Sequence, residues 1–132
     1  MPTINLTAET FDPTVDEGGI VLVDWWATWC GPCRSFAPIF DKAAEANPDI
    51  VFAKVDTEDQ QQLAGAFGIQ SIPTLMIFRE GIAVFGQPGA LPAPALESLI
   101  SQVRELDMEA VHAAVAEHAG HDHDHAGHDH AH

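Results

Sequence analysis

The chain is poor in cysteine, in basic residues and in long apolar runs. Two cysteines among 132 residues cannot form the disulfide framework of a small secreted domain, and a cysteine pair outside that context points to redox chemistry or metal. Five Lys and Arg stand against 20 Asp and Glu, a formal charge of −15. Phosphate backbones and anionic membrane surfaces repel such a chain, which disfavours nucleic acid and membrane as partners. No apolar run approaches the roughly 18 residues of a membrane span. The start, Met1-Pro2-Thr3-Ile4, has no basic segment followed by an apolar one. The expectation is therefore no signal peptide and a cytoplasmic location, where thiols stay reduced. What the chain does have is 46% apolar residues, enough for one globular core at this length.

The two cysteines sit in Trp29-Cys30-Gly31-Pro32-Cys33. The apolar run Ile20 to Trp26 leads in and a helical pattern leads out. A helix's first-turn N–H groups have no intrahelical partner, and its dipole places partial positive charge there. A Cys at that spot is stabilised as thiolate: a free thiol of pKa about 8.5 is about 3% ionised at pH 7, and a shift of about 1.5 units makes it about half ionised. Cys30, nearer the helix start and solvent, reads as the attacking sulfur. Cys33, one turn in and more buried, reads as the thiol that resolves the mixed disulfide. The alternative is half of a zinc site, but a structural zinc needs four ligands and a second Cys pair is absent.

Around this motif the pattern alternates between strand and helix. Thr3 to Leu6 predicts a short strand. Ala8 to Asp16 predicts a helix capped by Thr7. Ile20 to Val23 reads as a strand buried on both faces, interrupted by Asp24. The helix behind the cysteines extends to Ala46, with Phe36, Ile39, Phe40 and Ala43 as its apolar stripe and Pro38 inside it. Ile50 to Asp56 predicts another strand. Asp59 to Phe67 predicts a helix capped by Asp56 or Thr57. Leu75 to Arg79 and Ile82 to Phe85 predict a hairpin turning at Glu80-Gly81, with Gly86 to Gly89 a loop. A helix follows from Pro92, with a break near Leu106-Asp107 before an extension continuing through Met108, Val111 and Val115. This order implies an α/β fold: a central mixed β-sheet, with a parallel core plus an antiparallel hairpin, flanked by helices on both faces.

From His118 the composition changes. His118 to Asp124 repeats as His125 to Ala131, followed by His132. The repeat has no large apolar side chain and cannot pack a core, so it reads as a disordered tail unless metal or a partner orders it. Neutral imidazole is the commonest metal ligand. His118, His121, His123, His125, His128, His130 and His132 are accordingly candidate ligands for zinc, nickel or copper.

The chain resembles the thioredoxin family. Asp24-Trp25-Trp26-Ala27 and Trp29-Cys30-Gly31-Pro32-Cys33 match its active-site signature, and Ala37-Pro38 its kinked helix. Lys54-Val55-Asp56, Phe67-Gly68-Ile69, Ser71-Ile72-Pro73-Thr74-Leu75, Gly86 and Gly89 match its other hallmarks. The likeness covers residues 3 to 105. It divides the chain into a domain over 1–105, a helical extension over 106–117 and the His/Asp-rich tail over 118–132. Trp25 departs from the Phe that the family usually carries.

The resemblance implies a thioredoxin fold and a monomeric protein-disulfide reductase serving cell redox homeostasis and electron transport. It implies a redox-active Cys30–Cys33 disulfide with no further cofactor. The implied partners are disulfide-containing protein substrates and an NADPH-dependent thioredoxin reductase. It also implies a cis Ile72-Pro73 bond and a substrate groove formed by Trp29, Gly31, Pro32, Ile72, Pro73 and Gly89. Asp24, following four apolar residues, becomes a buried acid of raised pKa that takes the proton of Cys33. Lys54 in the neighbouring strand either tunes that acid or snorkels to water. Two other readings stay open: a metal-buffering protein acting through its tail, and an oxidase or isomerase on the same fold.

Overall fold

The computed structural model describes residues 2–17 and 19–125, with 119–125 described by backbone alone. Five strands form one sheet: β1 (Thr3–Asn5), β2 (Ile20–Trp26), β3 (Val51–Asp56), β4 (Thr74–Arg79) and β5 (Ile82–Pro88). The spatial order is β1-β3-β2-β4-β5. β3 pairs in parallel with β1 and β2, and β4 runs antiparallel to β2 and β5. The expected mixed sheet is therefore present.

β2 is central, and its pleat sends alternate side chains into two cores. Leu22 joins Phe36, Phe40, Ala43 and Ala44 of α2 (Gly31–Ala46) with Leu96, Ile100 and Val103 of α4 (Ala93–Arg104). Val21, Val23 and Trp25 join Phe11 and Val15 of α1 (Ala8–Glu17) with Ala64 of α3 (Gln61–Ala66). Trp25 is fully buried beside Phe11 and Phe67, at ring-centroid distances of 5.7 and 5.4 Å. A second indole so close to the active site is thus a packing element.

Three expectations need correction. Asp24 does not end the strand: it pairs in register with Lys54 on one side and Leu75 on the other. A central strand's backbone bonds hold whatever the side chain's polarity. α3 starts at Gln61 rather than Asp59, because the Asp56 carboxylate accepts the N–H groups of Glu58 and Asp59 and holds a turn ahead of the helix. The segment from Gly86 is not a loop, since Gly86, Gln87 and Pro88 continue β5 opposite Met76, Leu75 and Thr74. β5 is an edge strand, where a proline lacking N–H is tolerated.

The break after α4 is present. Asp107 Oδ1 accepts the Ala110 N–H at 3.2 Å, and α5 (Met108–His125) begins there. Met108 is buried, and His112 Nε2 lies 2.6 Å from Glu80 Oε1 at the hairpin turn. The root of the extension thus rests on the domain. The tail expectation over 118–132 lies largely outside the described residues: the α5 backbone reaches His125, and nothing beyond it is described.

Arg79 explains how α4 stops. Its Nη1 donates to the Val103, Arg104 and Leu106 carbonyls at 2.7, 3.2 and 3.2 Å, and a helix's last carbonyls have no intrahelical donors. Arg79→Ala should lower stability by about 1.5–3 kcal/mol, the usual worth of hydrogen bonds to a charged group. Arg104→Ala removes an exposed ion pair with Asp49 and an exposed hydrogen bond to Asn47 Oδ1 and should move a urea-unfolding midpoint much less. Equal shifts for the two variants would refute the capping role.

Candidate active site

β2 ends at Trp26, and a tight turn closes with the Cys30 N–H donating to the Ala27 carbonyl at 3.3 Å. Cys30 is the N-cap of α2, with φ −90° and ψ 113°. Gly31 and Pro32 fill the first two helical positions. A proline there sacrifices no bond, since first-turn N–H groups are unpaired in any helix. The Cys33 N–H donates to Cys30 Sγ at 3.2 Å. The sulfur thus occupies the place that a capping oxygen takes in other helices.

Cys30 and Cys33 form a disulfide, with Cα atoms 5.2 Å apart. Exposure does not separate the two cysteines, because each is only 4% exposed in this oxidised form. The expectation that Cys33 is the more buried is not met. What distinguishes them is helix position: Cys30 receives the amide and Cys33 supplies it.

The Ile72-Pro73 peptide is cis, and the Ile72 carbonyl oxygen lies 3.7 Å from Cys30 Sγ. The residues expected to form a groove are thereby partly assembled: Cys30 sits against the Ile72 backbone. Thr74 Oγ1 donates to the Ser71 carbonyl, bracing the loop from its far side. The Gly89 N–H donates to the Pro73 carbonyl at 2.8 Å with φ +107°, a left-sided conformation that a side chain would strain. Gly31, Pro32 and Gly89 are exposed, and Trp29 is 64% exposed. An indole so open immediately before Cys30 is a surface feature, as expected.

Asp24 is 1% exposed, and neither carboxyl oxygen has a hydrogen-bond partner among the described residues. It lies two residues beyond Leu22 on the sheet face that α2 covers. Burial pushes its carboxyl up to about 7; the Lys54 ammonium pulls it down, and Asp41 pushes it further up. Lys54 Nζ stands 5.3 Å from the Trp26 ring centroid. Its charge lowers the pKa of the Asp24 carboxyl while its ammonium lies over an indole.

Sequence reasoning missed Arg34. Its Nη1 donates to the Thr28 carbonyl at 2.8 Å, tying α2 back to the turn that presents Trp29. A bond from a helix to the loop before it leaves no periodic signature; the only available signal was a basic residue next to Cys33 in so acidic a chain. Of the candidate metal ligands, His118 is exposed on α5 and the side chains of the others lie outside the description. Among the described residues, no three His, Cys, Asp or Glu are grouped to hold a metal ion. No helix there is long and apolar enough to cross a membrane.

The thioredoxin family model matches residues 2–102. A relative from Streptomyces coelicolor named "Putative thioredoxin 2" is 64% identical over 115 residues, covering 87% of this chain and 86% of the relative. Thioredoxin from Bacillus subtilis is 35% identical over 103 residues, covering 77% of this chain and 98% of its own. A solved thioredoxin variant from Halobacterium salinarum superposes with a TM-score of 0.73 at 34% identity, covering 80% and 94% of the two chains.

The buried acid makes a measurable prediction. In the unfolded chain Asp24 titrates near the ordinary carboxylate value of 3.8, and in the folded chain burial raises it to about 7. Between these the folded state binds the extra proton, so stability falls as pH rises through that window. Asp24→Ala removes this dependence. The stability difference between wild type and variant should shift by about 2–3 kcal/mol in the variant's favour from pH 5 to pH 8, by denaturant unfolding of the oxidised proteins. A difference independent of pH would mean that Asp24 titrates normally.

Proposed function

The chain belongs to the thioredoxin family and is an oxidoreductase of protein disulfides; from that premise we propose how its residues divide the work. The Cys30 thiolate attacks a substrate disulfide, forming a mixed disulfide and expelling a substrate thiolate that takes a proton. Cys33 then loses its proton to the Asp24 carboxylate and attacks Cys30 Sγ. The second substrate sulfur leaves, and the Cys30–Cys33 bond holds the two electrons' worth of oxidation taken from the substrate.

The observation that carries this assignment is the Cys33 N–H directed at Cys30 Sγ. A charge-assisted bond of this kind favours the anionic sulfur, and only at Cys30. Asp24 fits the second proton transfer because a carboxyl titrating about 7 can accept and return a proton under working conditions. Lys54 tunes that acid. Trp29, Gly31, Pro32, Ile72, Pro73 and Gly89 form the docking groove, in which the Ile72 backbone pairs with an extended substrate strand.

The direction is net reduction. Thioredoxins have a potential of about −270 mV, a reference value of the family rather than one derived from this structure, below the extracted glutathione poise of about −220 to −260 mV. A reductant of this kind needs a compartment that keeps thiols reduced, which supports the cytoplasm. An NADPH-dependent flavoenzyme thioredoxin reductase recharges the disulfide.

Insulin reduction separates the roles. Cys30→Ser should abolish turnover. Cys33→Ser should trap substrate as a stable mixed disulfide on Cys30, visible by mass spectrometry. Asp24→Asn should leave the rapid alkylation of Cys30 unchanged but slow resolution of the mixed disulfide about 10²–10⁴-fold, the usual contribution of a positioned general base. Trapping on Cys33 instead would reverse the assignment. An unfolded-like alkylation rate at Cys30 would remove the thiolate account, and a measured potential well above the glutathione poise would favour the oxidase or isomerase reading.

A further inference from the structure

On the sheet face covered by α1 and α3, side chains line up across the strands, because residues directly opposite in an antiparallel pair share a face. Val23 stands beside Met76 and Met76 beside Gly86; Trp25 stands beside Thr74 and Thr74 beside Pro88. Val23 and Trp25 are buried in the core that α1 and α3 share, but at β5 the first of these rows ends on a residue without a side chain. A hollow of about 370 Å³ lies there, with Phe67, Ile69, Met76, Gly86 and Pro88 among its walls, and none of the residues lining it is charged. Phe67 is 37% exposed although its ring rests against Phe11, Trp25 and Phe78 at centroid distances of 4.8, 5.4 and 6.2 Å. It is an aromatic wall held in place from behind. Met76 is half-buried, and an unbranched thioether adapts to what it meets. The backbone does not demand glycine at position 86: its φ lies outside the left-handed region, and an added Cβ would meet only Met76 Cγ, at 3.8 Å, an ordinary contact. What glycine contributes there is space.

The hollow adjoins the docking groove by two routes. Ser71 and Thr74, which line it, bracket the Ile72-Pro73 bond. Pro88, which also lines it, precedes Gly89, whose N–H bonds the Pro73 carbonyl. We propose that this hollow receives one apolar side chain of the substrate, from a residue flanking the attacked cysteine on the strand that pairs with Ile72, and that Gly86 sets the preference by leaving the space open. The proposal rests on the docking groove assigned above. Backbone pairing holds a substrate strand without reading its sequence, and selectivity comes from pockets that take alternate side chains. An uncharged hollow offers a charged side chain no partner for its lost water. The class that fits is therefore aliphatic or aromatic.

The test uses the full chain, pre-reduced, and synthetic peptides each closed by one disulfide. A single leucine is moved through the positions flanking the attacked cysteine of an otherwise Ser/Gly sequence, and the rate of peptide reduction is measured. Wild type should reduce the peptide with leucine at one of these positions about tenfold faster than the leucine-free peptide, the low end for an apolar group entering a pocket. Gly86→Val fills the hollow with a side chain suited to a strand. It should erase that preference while reducing the leucine-free peptide at the wild-type rate, and Gly86→Ala, a smaller filling, should lower the preference part-way. Ala83→Val adds the same side chain to the same face of β5, opposite Phe78 and outside the hollow, and should keep the preference. No favoured leucine position in wild type, a preference unchanged in Gly86→Val, or one lost equally in Ala83→Val would each overturn the proposal. The leucine-free peptide reports the cysteine chemistry by itself, so the two readings fail at different places. No reduction of that peptide by wild type overturns both, whereas reduction without a leucine preference overturns only this one.

Discussion

A backbone amide directed at a sulfur is the contact on which the chemistry rests. The Cys33 N–H reaches Cys30 Sγ because the helix begins between them, and the helix begins there because β2 has just ended. β2 in turn is fixed by its position. It is hydrogen-bonded along both edges, to β3 and β4, and covered on both faces by separate cores. A strand with that many constraints cannot shift by a residue without turning its buried side chains to the wrong layer. The cap therefore inherits its geometry from the most constrained element in the molecule. The short turn from Ala27 to Cys30 transmits that precision, with Arg34 clasping it from the helix side.

The same strand carries the site's main destabilising feature. Asp24 occupies a face position where an apolar residue would pack without penalty, and its carboxyl oxygens have no partner among the described residues. Desolvation raises its pKa, and Lys54, in register across the β2–β3 pair, offsets part of that rise. The β-sheet register thus sets the proton affinity of the acid as firmly as it sets the cysteine's place. Stability given up at one strand position is what a group able to exchange protons near neutrality requires.

Much of this was legible in the sequence because it is local. The apolar run into the cysteines, the Gly-Pro at the helix start and the abrupt change at His118 all show in short windows. Whatever depends on the other side of the sheet did not show. Asp24 looked like an interruption because a one-dimensional pattern registers polarity and cannot register two flanking strands. Gly86 to Pro88 looked like a loop because glycine and proline outweigh pairing partners on a different strand, Met76, Leu75 and Thr74. The Arg34 clasp and the Arg79 cap are side-chain bonds to carbonyls, and carbonyls have no residue type to recognise. Burial of the two cysteines was misjudged for a related reason: the Ile72 loop covers Cys30, and that loop lies more than forty residues on.

The extension after Leu106 obeys a different rule from the domain. Within the domain, side chains face inward because apolar area is removed from water; helices α1, α2 and α4 each bury a stripe and the short α3 buries Ala64. On α5 that driving force ends early: Met108 is buried, Val111 is half-buried and Val115 is 44% exposed. Beyond Val115 no apolar residue larger than alanine follows, so packing cannot select one face of the helix over another. A sequence that nevertheless repeats histidine at intervals of three and four keeps a helical period without a hydrophobic reason for it.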